Sequence, residues 1–424
     1  MTDPTHSPEP VHWFAAPPAG PDRSAFDGAF PMYGRAYHQN PARAFEEMRK
    51  QGPVVPILLE GDVPGWLVLG YRELRYVLSN PKLFVRDSRH WNQWPNIPPD
   101  WPLNAYVAYQ PSMLFEVGAA HERRAGAVSD ALAAADQFEL RARCERVAGG
   151  LINTFIGSGR ADLMAQYANP IPLLVLASML GLPDPDTRAL VGEVATTLNG
   201  GPAAMEAYQR VQTIMSRLLE TKRRYPGPDM PSRLLAHPAG LTDEELTQDL
   251  LLTLTAAHDP TATWIGNTIQ LMLTDDRFAM TLSGGRRSIG QALNEVLWKE
   301  APGQIAIGRW PVMDTQLSGR RIRAGDLLVC GLAAANLDPQ VRPDLYGDSV
   351  SNHAHMSFGY GEHGCPHPAP ELAEVIAHIA VEMLLDRLPD VVLAVPPESL
   401  EWRSSIQMRS LESLPVEFTP GYPV

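Results

Sequence analysis

Apolar residues recur at helical spacing over most of the chain, most continuously in one stretch. Thr242-Asp243-Glu244-Glu245 has the form of a capping box, and the helical period then persists to about Thr274. That predicts a helix of about 33 residues and roughly 50 Å, long enough to span a domain. Gln137 to about Tyr225 also reads as mostly helical, with breaks at Gly157-Ser158-Gly159, at Pro183 and at Gly200-Gly201-Pro202. Further helices are predicted behind the cap Asn40-Pro41, ahead of Asn80-Pro81, from Ala119, behind Ser288 and from about Glu371. The runs Val54 to Leu59 and Trp66 to Leu69 predict a hairpin, and Ile305 to Trp310 and Arg321 to Val329 predict two more strands. Residues 1 to about 38, rich in Pro and Gly, read as an extended lead wrapped on the surface. The rest of the chain is mainly helical with a few strands, and its length would suggest two or three domains, though single cores of this size exist.

From Phe84 to Ala119 runs a long irregular stretch holding Trp91, Trp94 and Trp101. Such loops are functional or disordered, and the aromatic content argues against disorder. The three tryptophans either border a pocket or pack as a satellite core.

Composition narrows the function classes. With 35 basic and 48 acidic residues the net charge is −13, which argues against nucleic acid or an anionic membrane as a partner. The longest apolar candidate for a membrane span, Ile171 to Leu182, contains Pro172 and falls short of the roughly 18 residues required. The N-terminus has no basic start with an apolar run, and Cys144, Cys330 and Cys365 are widely spaced and odd in number. A cytoplasmic protein without disulfides is expected.

The chemistry concentrates in Phe358-Gly359-Tyr360-Gly361-Glu362-His363-Gly364-Cys365. Three glycines let the backbone turn tightly and present one cysteine at a fixed point just before a predicted helix. N–H groups at a helix start favour a thiolate, which is a metal ligand. The plain alternative is a Gly/Pro turn around a structural Cys. A zinc cluster of His353, His355, His363, Cys365 and His367 fits no usual spacing.

The pattern F-G-x-G-x-H-x-C resembles the haem-binding loop of the cytochrome P450 superfamily. That resemblance implies haem b with Cys365 as the iron's axial ligand, beneath a long central helix and with small β-sheets. It extends from about residue 40 to the end, and implies that residues 39–424 form a single, mainly α (α+β) haem-thiolate domain. His121, Arg309 and His355 match positions that reach the haem propionates, and His363 is a further candidate. Ala256-Ala257-His258-Asp259-Pro260-Thr261 resembles the oxygen-activating segment, giving Asp259 and Thr261 as the proton-handling pair. The stretch 84–119 would cover the distal pocket, about 182–218 would vary with substrate, and about 388–424 would line the pocket. The implied activity is a monooxygenase inserting oxygen into a small apolar molecule, with electrons from a ferredoxin and its reductase. That partner would dock near the cysteine, with Arg123 and Arg124 supplying positive charge.

Several positions depart from the family's pattern. Ala125 stands where a second propionate arginine is usual, so that partner is either missing or supplied by Arg124. Pro260 stands where the first Thr is usual, and proline in a helix interior removes an N–H and predicts a kink. Trp298 replaces the Arg of Glu-x-x-Arg after Glu295, as in a few divergent actinobacterial members. The meander Asp338 to Asp348 also lacks its arginine pattern. Trp298 is expected to replace a buried ion network by packing, with Glu295 protonated, exposed or paired with Lys299 or Arg342. These departures motivate a second function: a P450-fold haem protein that activates dioxygen poorly, acting as a peroxide-driven oxygenase, a non-redox catalyst or a ligand-binding protein.

Overall fold

The long helix forms as its capping box dictates. Thr242 Oγ1 accepts from Glu245 N at 3.2 Å, Glu245 Oε2 accepts from Thr242 N at 2.9 Å, and the helix runs from Asp243 to Thr274. The computed structural model describes residues 23–199, 203–275, 288–341 and 352–423. In the first half of the helix Leu246, Leu250, Leu254 and His258 bury one stripe at four-residue spacing. From Thr261 to Ile269 every residue is buried, so the second half passes through the middle of the molecule. The kink expected at Pro260 does not interrupt it: the chain stays helical from Asp243 to Thr274.

Around this axis pack the helices Pro170–Met179, Ala204–Arg224, Ile289–Lys299 and Ala369–Arg387, the last also lying along Gln137–Phe155. Their apolar faces merge in one large core that includes Leu140, Ile152, Ile171, Leu250, Ile265, Leu293 and Ile376. Two expected helix starts are capped as read. Asn40 accepts from Arg43 N at 3.1 Å, and Ser288 and Gln291 form a capping box.

A six-stranded sheet covers one side, in the order Phe30–Pro31, Val54–Leu59, Val63–Val68, Leu328–Cys330, Ala306–Pro311, Phe84–Val85. The predicted hairpin is antiparallel from Val54↔Val68 to Leu59↔Val63. The second predicted strand run divides, with Thr315–Leu317 and Arg320–Ile322 forming a small hairpin before Leu328–Cys330. Of the expected lead, residues 1–22 lie outside the described residues. The remainder is folded: Phe30–Pro31 pairs in parallel with Ile57 and Leu58, Arg35–Gln39 is helical, and Met32 and Tyr37 are buried. Among the described residues no helix is long and apolar enough to cross a membrane.

The three tryptophans form the satellite core. Trp91 lies 4.9 Å from Trp94 and 5.6 Å from Trp101 between ring centroids, with Trp91 and Trp101 buried against Val55, Ile57 and Trp310. The indole N–H groups of Trp94 and Trp101 donate to the Ser88 and Glu60 carbonyls. Side chains so committed pack the sheet rather than border a pocket.

Candidate functional site

The cysteine loop is built by its glycines. Gly359 and Gly361 have φ of 72° and 74°, and a Cβ on Gly361 would run into the Leu78 carbonyl oxygen. Gly364 N donates to Gly361 O at 2.9 Å and Cys365 N to Phe358 O at 2.8 Å, closing the turn that presents Cys365. The following helix begins at Ala369, two residues earlier than read, so Cys365 stands four residues ahead of its start. Of the three cysteines only Cys365 is exposed. Desolvation, with Glu371 adding to it, pushes its thiol up to about 12. A thiolate there therefore calls for a cation beside it.

Three contacts fasten this loop to the start of the helix Ala119–Ala133. Gly118 N donates to Glu362 Oε1 at 2.9 Å, His363 Nε2 donates to the Glu116 carbonyl at 2.8 Å, and the His121 and His363 rings meet at a tilt, 4.3 Å between centroids. Burial, then Arg309, then His121 push His363 down to about 3, so its ring is neutral and carries its proton on Nε2. Burial also lowers His121 against the pull of Glu362, whose carboxylate lies 3.8 Å away. Arg309, on the adjoining strand, is buried, and its Nη1 donates to the Gly308 carbonyl at 3.0 Å. His121, His363 and Arg309 are thus brought together.

His355 is placed differently, edge-on to Trp298 and 5.7 Å from the Phe358 ring, with Nδ1 buried and without a partner among the described residues. Burial, then His353, lowers it from 6.5 to about 4. The unfolded chain then binds a proton that the folded chain refuses, so stability falls as pH drops from about 6.5 towards 4. By pH 5 that loss is about 2 kcal/mol. In urea unfolding, the stability advantage of the parent over His355→Phe is expected to shrink by that amount between pH 7 and pH 5. An unchanged difference would mean that the imidazole stays solvated.

Asp259 and Thr261 lie on the long helix, one turn before Trp264, which packs edge-on against Phe358 of the loop at 5.9 Å. Asp259 Oδ1 accepts from Arg403 Nη1 at 3.1 Å, and Thr261 is buried. Sequence reading missed Arg403, because nothing local marks a residue of the C-terminal segment as the partner of one 144 positions earlier. It also missed Glu362 as a clamp.

The closing segment is near enough to serve this site. Asn267 Nδ2 on the long helix donates to Arg409 O at 2.9 Å, and Arg403 N donates to Ser410 O at 2.8 Å.

No family model matches the chain. Over 400 residues it is 32% identical to the cytochrome P450 monooxygenase PikC of Streptomyces venezuelae, covering 92% of this chain and 93% of that protein. The chain belongs to the cytochrome P450 superfamily. It is also 30% identical to the vitamin D(3) 25-hydroxylase of Pseudonocardia autotrophica, over 92% of this chain and 96% of that one. Among solved structures it superposes on CYP154C4 from Streptomyces sp. ATCC 11861 with a TM-score of 0.83 at 25% identity, covering 93% and 99% of the two chains. The P450 fold carries a haem-thiolate cofactor, and the residues present fit it. An exposed cysteine stands on a glycine turn, beside buried cationic and imidazole groups that suit two carboxylates.

Two expectations about this P450 are corrected. Arg124 is not a spare propionate ligand: it is buried, its Nε and Nη2 grip Asp249 at 2.8 and 2.7 Å, and Nη2 also donates to Pro111 O. Its neighbour Arg123 pairs with Glu245 and donates to Ala239 O, so neither offers the free positive charge expected for docking an electron donor. Arg124 lies about 100° round the helix from Ala125, the position that faces the carboxylates in the family's pattern, and so is turned away from them.

Trp298 does replace charge, by hydrogen bonding as well as packing. Its Nε1 donates to Asn352 O at 2.8 Å, beside Asn294 Nδ2 at 3.1 Å. Asn336 accepts from Met356 N and donates to Leu297 O and to Ser357 Oγ. The segment leading to the cysteine loop is therefore held by amides, a hydroxyl and an indole. Glu295 pairs with Lys299, while Arg342 lies outside the described residues. Among the described residues no three His, Cys, Asp or Glu side chains converge as a metal site, so the zinc reading gains no support.

Proposed function

We propose that this P450 is a haem-thiolate monooxygenase that inserts oxygen into a small apolar molecule, with electrons from a ferredoxin-type partner. Cys365 is the axial ligand. His121, Arg309 and His355 serve the haem carboxylates, while His363, the further candidate, spends its one proton on the Glu116 carbonyl and positions the loop. The observation that carries this reading is Cys365 itself, exposed on a rigid turn that packs through Phe358 against the helix bearing Asp259 and Thr261. Thiolate-ligated haem, when bound, supplies dioxygen activation and the oxygen that is transferred. The chain supplies position and protons. Arg403 fixes Asp259 through Oδ1, which leaves Oδ2 as the atom through which a proton is taken up and passed on, and Thr261, buried two residues along the helix, is the second proton-handling group. Relatives that carry the names of a polyketide-pathway P450 and a vitamin D(3) hydroxylase are consistent with largely apolar substrates.

Pro260 and the Asp259–Arg403 pair favour one rival, a protein that uses peroxide rather than dioxygen and electrons. A single comparison separates the two. With a surrogate ferredoxin and reductase, Asp259→Asn is expected to lower coupled oxygenation about a hundredfold or more, the usual worth of a positioned proton donor, while peroxide-driven turnover is retained. Coupled turnover unaltered by Asp259→Asn would remove the carboxylate from the mechanism. Turnover of the parent with peroxide, and none with the surrogate ferredoxin and reductase, would favour the rival.

A further inference from the structure

The strand Phe84–Val85 pairs antiparallel with Ala306–Pro311 through Phe84↔Pro311 and Val85↔Trp310, and the same register carries Arg86 opposite Arg309. Both arginines are deeply buried, with 7% and 5% of their surface exposed. Their guanidinium groups converge on one carbonyl: Arg86 Nη1 donates to Gly308 O at 2.7 Å and to Ile307 O, and Arg309 Nη1 donates to Gly308 O at 3.0 Å. Arg86 also lies 5.5 Å over the Phe115 ring, and its Nε is buried without a partner.

Among the described residues neither arginine forms an ion pair. Glu362, the carboxylate whose field Arg309 feels, is already engaged by Gly118 N and His121. Burial, then Arg309, draws Arg86 down to about 9, the mark of two like charges sharing a dry site. Two buried cations side by side without a counter-charge are strongly unfavourable unless an anion joins them. Haem brings two carboxylates, and Ala125 offers them nothing. We propose that Arg86 is a haem-carboxylate ligand of this chain, holding a propionate together with Arg309. The inference rests on haem being the cofactor and not on the reaction catalysed.

Haem release into excess apomyoglobin tests it, with the holoprotein carrying either iron protoporphyrin IX or its dimethyl ester, which has no free carboxylates. Arg86→Ala is expected to release natural haem about ten- to a hundredfold faster, the worth of one charge-assisted hydrogen bond. It is expected to leave release of the diester at the parent rate. Arg86→Gln keeps an N–H donor for the Gly308 carbonyl but carries no charge, and it is expected to follow Arg86→Ala. Equal acceleration of both haems would overturn the proposal, making Arg86 a strap between strands. Natural haem released at the parent rate from either variant would overturn it as well.

Discussion

Cys365→Ala is expected to abolish the long-wavelength Soret band of the reduced, carbon-monoxide-bound protein, with no imidazole-ligated species taking its place. The other two thiols, Cys144 and Cys330, are buried in a helix and a strand. His363 and His367 are equally near in sequence, but the Nε2 proton of His363 is held by the Glu116 carbonyl and its ring lies against His121. His367 points outward beside Glu371, with most of its side chain in solvent. The band should therefore disappear rather than shift. A band that survives in Cys365→Ala, or an imidazole-type spectrum in the parent protein, would remove the thiolate from the site and the monooxygenase reading with it.

Breaking the Arg124–Asp249 pair should cost more stability than any other single polar change considered. Both side chains are essentially buried, at 3% and 0% exposure, and Asp249 Oδ1 also accepts from Met113 N at 2.8 Å. Arg124→Ala leaves an uncompensated buried carboxylate, and about 3–5 kcal/mol is expected in urea unfolding. Asp249→Leu leaves the buried guanidinium and should cost a similar amount. The double variant Arg124→Met with Asp249→Leu removes both charges and should recover most of the loss, because a buried pair exchanged for apolar groups is often neutral. Additive losses in the double variant would show that the two side chains act independently. The pair joins the 84–119 stretch to the start of the long helix through Pro111 and Met113, so its loss should also loosen the cover over the site.

What was legible in the sequence was what local interactions decide. The capping boxes at Thr242 and Ser288, the Asn40 cap and the glycine turn before Cys365 depend on neighbours within a few positions, and they form as read. Periodicity located the long helix to within a residue or two, because its buried stripe repeats at the helical period. Partnerships across the fold were not legible. Arg403 meets Asp259, Arg124 meets Asp249 and Arg86 faces Arg309 only because remote elements are brought together, and no residue pattern announces such meetings. The tryptophans at 91, 94 and 101 illustrate the same limit. Their bulk implied burial, but only the sheet behind them decides that they pack against its face. Trp298 lay between these cases: replacement of an ion network by packing was readable, whereas the Asn352 carbonyl that its indole reaches was not.

That neutral wall behind the cysteine loop responds to heat in its own way. Ionic networks gain on warming because the hydration of bare charges becomes less favourable, whereas amide, hydroxyl and indole contacts strip no ion of its water shell. Support resting on Trp298, Asn294, Asn336 and Ser357 therefore lacks the reserve that charge networks gain at high temperature. That part of the cysteine loop's support depends on close fit, and is expected to fail through loosened packing rather than through salt.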